Sequence, residues 1–144
     1  TQTLAKMMAG DGEGATKLFE TKVIHAKDKE SAVTLAKSVI TSPLVKTAVY
    51  GNDANWGRIL CAMGYSGEDF DPEVVDLTLV SEAGELKIVE NGVATGYSEE
   101  KATEILSKEY VTCIADLKMG EGEAVAWGCD LTYDYVKING DYRS

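Results

Sequence analysis

Residues 16–26, TKLFETKVIHA, set Phe19, Thr21 and Val23 on one side of an extended chain and Leu18, Glu20, Lys22 and Ile24 on the other. That alternation, rich in β-branched residues, predicts a strand. The next stretch, DKESAVTLAKSVITSP (28–43), changes period: Ala32, Leu35, Ala36, Val39 and Ile40 recur at helical spacing. Asp28 is the expected N-cap, and Pro43 the stop, because proline disfavours helical geometry at the preceding Ser42. A strand handing over to an amphipathic helix is the unit from which α/β domains are built.

Working outward, LVKTAVYG (44–51) reads as a second short strand. NDANWGRILCAMG (52–64) then reads as a helix capped by Asn52 or Asp53, with Trp56, Ile59, Leu60 and Met63 inward and Gly64 at its end. Gly57 inside that helix costs ~1 kcal/mol against alanine, so a close approach by another backbone or a ligand is expected there. The acidic turn segment GEDFDPE (67–73) is the best internal boundary, between an α/β part at 1–66 and an α+β lobe at 67–144.

Beyond it the pattern turns to hairpins. VVDLTLVSE and ELKIVE flank the tight turn Ala83-Gly84, and NGVATGY (91–97) is a loop. SEEKATEILS (98–107) is a helix capped by Ser98, with Glu99 and Glu100 in its first turn, where the helix dipole favours acids. YVTCIADLKM (110–119) and EAVAWGCDL (123–131) alternate around GEG, so that Val111, Cys113 and Ala115 are expected to face Val125, Trp127 and Cys129. The end, TYDYVKINGDYRS, reads as a short helix, a break at Asn139-Gly140 and a tail. The expected class is α/β of the α+β type, with mixed or antiparallel sheets packed against helices.

Composition narrows the function. The 144 residues carry a net charge of −10, which disfavours nucleic acid and anionic membrane as partners. No apolar run approaches the ~20 residues of a membrane-spanning helix. Cys61, Cys113 and Cys129 lie on apolar faces without a C-x-x-C pair and read as buried, reduced thiols. His25 is the only histidine and reads as an ordinary surface residue; no metal site is expected.

The segment GDGEGATK (10–17) carries the densest chemistry. A phosphate loop needs a glycine directly before the lysine and no acids; a dinucleotide fingerprint needs a strand before the glycines. A calcium loop would put Thr16 at its glycine position and Lys22 at its final glutamate position. All three fail. What remains is a glycine connection from the preceding TLAKMMA segment into the strand. It is either a solvated acidic loop or a device that presents Glu13, and the local residues leave both open.

Four stretches together, DGEGATK (11–17), SPLVKTAVYGNDANWGR (42–58), ELKIVENG (85–92) and CDLTYDYVKINGDYRS (129–144), resemble the C-terminal part of the β chain of ornithine acetyltransferase. This is the glutamate N-acetyltransferase family of arginine biosynthesis. The resemblance spans essentially the whole chain and implies an enzyme made as a self-cleaving precursor whose new N-terminal threonine is the nucleophile. A terminal threonine suits that role because its α-amine serves as base beside the hydroxyl. The threonine takes acetyl from N-acetylornithine as an ester and passes it to glutamate, a ping-pong sequence. Acetyl-CoA is a co-substrate in bifunctional members, and no tightly held cofactor is implied.

Thr1 stands in the context TQTLAKMM, which does not match the family's nucleophile, so the resemblance makes this chain a β-chain fragment with the nucleophilic threonine upstream. Three positions carry over as substrate contacts: Glu13, Asn139 and Ser144. A carboxylate suits an ammonium, an amide both donates and accepts, and a serine adds a hydroxyl. A helix C-cap at Asn139-Gly140 is compatible with that role. Asp53, Asn55 and Arg58 are read as structural. The implied partners are the α chain and the rest of the β chain in a heterotetramer, in the cytoplasm, or in the mitochondrial matrix of a eukaryote. The competing readings are a self-cleaving aminopeptidase or aminoacylase, and a stand-alone amino-acid-binding domain.

Overall fold

A computed structural model describes residues 17–129 and 136–138 of the chain. Among the described residues, seven strands form one mixed sheet in the order β4-β3-β2-β5-β1-β6-β7. They are β1 (Leu18–Ala26), β2 (Asp76–Ser81), β3 (Gly84–Glu90), β4 (Val93–Ala94), β5 (Tyr110–Asp116), β6 (Gly122–Cys129) and β7 (Val136–Ile138). The helices are α1 (Lys29–Ile40), α2 (Pro43–Tyr50), α3 (Trp56–Gly64) and α4 (Glu99–Leu106). α1 packs on β1 and β6, and α4 on β2 and β3, so the sheet and helices form the expected mixed α/β arrangement.

β1 forms where the alternation placed it, and it is flanked on both sides: parallel to β5 and antiparallel to β6. Phe19, Thr21 and Val23 are buried, as is the predicted α1 stripe of Ala32, Leu35, Ala36, Val39 and Ile40. On β6 the residues level with them are Gly128, Ala126 and Ala124. These small side chains let α1 lie close, and the Cβ position of Gly128 is 3.5 Å from Ile40 Cβ. The Asp28 cap is present, its Oδ1 accepting from the Ser31 N–H at 2.8 Å.

Several expectations are corrected. Residues 44–51 form helix α2 rather than a strand, because Pro43 sits in its first turn and Ser42 caps it by accepting from the Val45 N–H. Proline thus opens one helix as well as barring the previous one. α3 is capped by Asn55 rather than Asn52 or Asp53. A Cβ at Gly57 would meet only the Asn55 side chain, at 3.5 Å, so no close backbone approach explains that glycine among the described residues. Ile59 and Met63 are buried, whereas Trp56 and Leu60 are half-buried at the core edge.

β5 and β6 do not form a hairpin, because β1 lies between them. Val111, Cys113 and Ala115 therefore share a face with Gly128, Ala126 and Ala124, not with Val125, Trp127 and Cys129. Val93–Ala94 within the expected loop pairs as β4, and 136–138 is a strand on β6 rather than helix. Cys61 is exposed, against expectation, while Cys113 is buried. β1, from the segment 1–66, lies within a sheet whose other strands come from 67–144.

One polar network ties together turns at one end of the sheet. Asp76 accepts from Lys118 Nζ at 2.9 Å, Lys87 Nζ at 3.2 Å and the Asn91 N–H at 2.9 Å. Nearby, His25 Nδ1 lies 2.8 Å from Asp116 Oδ1 on the surface. Partial burial pushes the Asp76 carboxyl up, but the Asn91 N–H and the two ammonium groups outweigh it and hold it below its ordinary value. A depressed carboxyl adds stability above its unfolded pKa, and that stability is lost as pH falls through the folded value. Asp76→Asn is thus expected to cost about 1.5 kcal/mol at pH 7, with the gap to the parent narrowing below about pH 4. Denaturant midpoints at the two pH values check this; a gap that stayed constant would contradict it.

Candidate functional site

Glu13, Asn139, Ser144 and Thr1 all lie outside the described residues, so the chain leading into and out of their segments is what the structure places. β1 begins at Leu18 and β7 ends at Ile138. Phe19 of β1 and Val136 of β7 both pair with Gly128 of β6. Two strand spacings, about 10 Å, therefore separate β1 from β7. Both antiparallel to β6, β1 and β7 run parallel to each other, with Ile138 at the end of β7 level with Thr21 inside β1; β1 is interior to the sheet and β7 is its last described strand.

Directly before β1, Lys17 is 7% exposed. Its Nζ donates to the Val49 carbonyl at 2.8 Å, to Asn52 Oδ1 at 2.7 Å and to the Leu106 carbonyl at 2.6 Å. A lysine ammonium has three N–H donors, and three acceptors meet it here. Val49 and Leu106 stand at the C-terminal ends of α2 and α4, where carbonyls lack intrahelical partners and the helix dipoles favour a cation. The Tyr50 ring centroid is 6.0 Å from the same Nζ. Asn52 reaches its position with φ at 60°, a left-handed conformation that asparagine tolerates better than most residues. Next to the clamp, the Leu18 N–H donates to the Glu109 carbonyl at 2.6 Å, fixing the start of β1 against β5.

One turn of the strand further on, Glu20 lies on the sheet face opposite α1 and is also 7% exposed. Thr112 Oγ1 donates to Glu20 Oε1 at 2.6 Å. Trp127 Nε1 donates to the Tyr110 hydroxyl at 3.4 Å. Burial chiefly, with the neighbouring Glu20 charge adding to it, pushes the Tyr110 hydroxyl up, so it stays a neutral donor near pH 7. A cleft of about 670 Å³ opens over this group, lined in part by Glu20, Ser81, Glu82, Lys108 and Tyr110.

Cys113 is excluded as a nucleophile: burial alone pushes its thiol to about 12, leaving negligible thiolate at neutral pH. Among the described residues no three His, Cys, Asp or Glu side chains converge on a possible metal position. Nor is any described helix long and apolar enough to cross a membrane. Asn55 caps α3 by accepting from the Arg58 N–H, and Arg58 donates from Nη1 to the Leu44 carbonyl at 3.0 Å, so each makes a structural contact.

The Lys17 clamp carries no local signal. The lysine follows a glycine segment, and its acceptors lie 32, 35 and 89 residues away. The one available hint was the Gly51-Asn52 pair after α2, a combination suited to a left-handed exit from a helix.

Comparison with known proteins shows what the chain as a whole resembles. A family model described as ArgJ family matches residues 1–144. The arginine biosynthesis bifunctional protein ArgJ of Caldanaerobacter subterraneus subsp. tengcongensis is 54% identical over 143 residues, covering 99% of this chain and 36% of that protein. A glutamate N-acetyltransferase of Methanocaldococcus jannaschii is 52% identical, covering 98% of this chain and 36% of that protein. The crystal structure of the arginine biosynthesis bifunctional protein ArgJ from Bacillus halodurans superposes with a TM-score of 0.81 at 47% identity, over 93% of this chain and 62% of that one. The chain thus spans little more than a third of the length of these curated relatives.

Proposed function

This chain belongs to the ArgJ family, and from that premise we propose that it is part of a glutamate N-acetyltransferase of arginine biosynthesis. In this reading the intact enzyme moves acetyl from N-acetylornithine to glutamate through an acetyl-threonine ester. The observation that carries it is the 52% identity, across nearly the whole chain, to a relative named glutamate N-acetyltransferase. The chain's own contribution is one wall of the substrate pocket: Glu13 contacts the substrate ammonium, and Asn139 and Ser144 contact the substrate from the tail. The nucleophilic threonine is supplied from upstream and is not Thr1. The α chain and the remaining β-chain segment complete the site, and acetyl-CoA serves as an alternative donor in a bifunctional enzyme. The enzyme works in the cytoplasm.

In the first half-reaction the threonine oxygen bonds to the acetyl carbon and the amide C–N bond breaks, the ornithine amine leaving with the proton. In the second, the glutamate amine bonds to the acetyl carbon and the threonine oxygen leaves and regains its proton. Ornithine release from N-acetylornithine by the intact enzyme is therefore expected to depend on glutamate, with one N-acetylglutamate formed per ornithine. Ornithine released equally fast without glutamate, with acetate as co-product, would instead identify a hydrolase.

A further inference from the structure

Glu20 is buried without a counter-charge: among the described residues no ammonium or guanidinium pairs with it. Its neighbours are neutral hydroxyls, Thr112 donating at 2.6 Å and Tyr110 alongside. Buried carboxylates are ordinarily matched by a cation, because neutral donors replace only part of the hydration lost. Here the charge stands in the wall of the cleft of about 670 Å³, a size that suits small-molecule sites. Val80, Thr112 and Glu20 are level on β2, β5 and β1, a row about 10 Å across. Glu82 follows Val80 into the turn to β3, and Lys108 and Glu109 directly precede β5. The lining thus carries three carboxylates against one ammonium. These acids do not converge on one point, since no three among the described residues could share a metal ion. A compact cation would meet one of them, whereas two charges on an apolar stem would meet two, with half-buried Val80 beneath the stem.

We propose that this cleft binds a small aliphatic diamine, with one ammonium on the buried Glu20 carboxylate, the stem along Thr112 and Val80, and the second ammonium at Glu82. The pairing at Glu20 supplies the affinity, because that charge is already out of water before the ligand arrives. The contact at Glu82 is exposed and adds selectivity for a second charge. This site is inferred without the acetyl-transfer reading.

Calorimetry of the intact enzyme with cadaverine, pentylamine and glutarate tests it. Cadaverine, a diamine, is expected to bind saturably. Pentylamine lacks the second charge and is expected to bind about two- to fivefold more weakly, the worth of one exposed ion pair. Glutarate, a dicarboxylate of similar length, is expected not to bind. Glu20→Gln keeps an acceptor for Thr112 while removing the buried charge, and is expected to weaken cadaverine by about 30-fold or more. Should Glu20→Gln fail to fold, Glu82→Gln in the exposed turn carries the test, with a loss of about two- to fivefold expected. An intact enzyme that binds no cadaverine, as when its other segments fill the cleft, overturns the proposal. So does pentylamine or glutarate binding as tightly as cadaverine, or a cadaverine affinity unchanged in whichever variant folds.

Discussion

Glu13→Gln in the intact enzyme is expected to lower kcat/KM by about a thousandfold while leaving folding unchanged. Removing one partner of a desolvated charge pair costs about 3–5 kcal/mol, which corresponds to a factor of roughly 10² to 10³ or slightly more. Glutamine keeps the size and one carbonyl oxygen, so the loss reports charge rather than shape. Folding is expected to be insensitive because the change keeps the side chain's size and removes only its charge. Steady-state kinetics on the matured enzyme, with precursor cleavage followed on a gel and thermal unfolding measured in parallel, separates these effects. Unchanged activity would remove Glu13 from the site.

Gly122→Ala is expected to be the most disruptive single methyl in the described fold, costing about 3 kcal/mol, the upper end for overpacking. Gly122 pairs with Ala26 where β6 passes the turn between β1 and α1, and a Cβ there would drive into the Asp28 backbone. That backbone has no rotamer with which to move aside, and it belongs to the residue whose side chain caps α1. Gly64 is the contrast. It ends α3 with nothing within 4 Å of its Cβ position. Gly64→Ala is expected to stabilise by about 0.5–1 kcal/mol through helix propensity. Denaturant midpoints of the two variants are thus expected to move in opposite directions, and equal midpoints would mean that the Asp28 turn yields freely.

The parts of the fold visible in the residues were those with short-range causes. The Asp28 and Ser98 caps act over three residues, and both are present. β2 and β3 are neighbouring strands as expected, joined by a tight turn at Glu82-Ala83, one residue earlier than the expected Ala83-Gly84 because Gly84 already pairs with Ser81. α2 misled for the same reason: LVKTAVYG contains β-branched residues that suit a strand, and its helix is set by Ser42 and Pro43 just outside the quoted run. Propensity is a weak prior against a good cap and an apolar face to bury. The resemblance pointed to Glu13, Asn139 and Ser144 as substrate contacts, and all three lie outside the described residues. The bonds of Lys17 had no signal in the sequence, because it looks like any surface cation until α2 and α4 are folded around it.

By itself, the sequence determined the periodicity of β1 and α1, most element starts, and the family to which the chain belongs. Only the tertiary structure decided that β1 enters between β5 and β6, which shifted the facing residues from Val125 and Trp127 to Ala124 and Ala126. Alternation tells which side chains share a face of one strand, but it is blind to which strand lies alongside, since any apolar face suits any other. That choice follows from burying β1 on both edges and seating α1 on the small residues of β6. The same folding brings an ammonium at 17 to carbonyls at 49 and 106, partners that no local pattern in the sequence names.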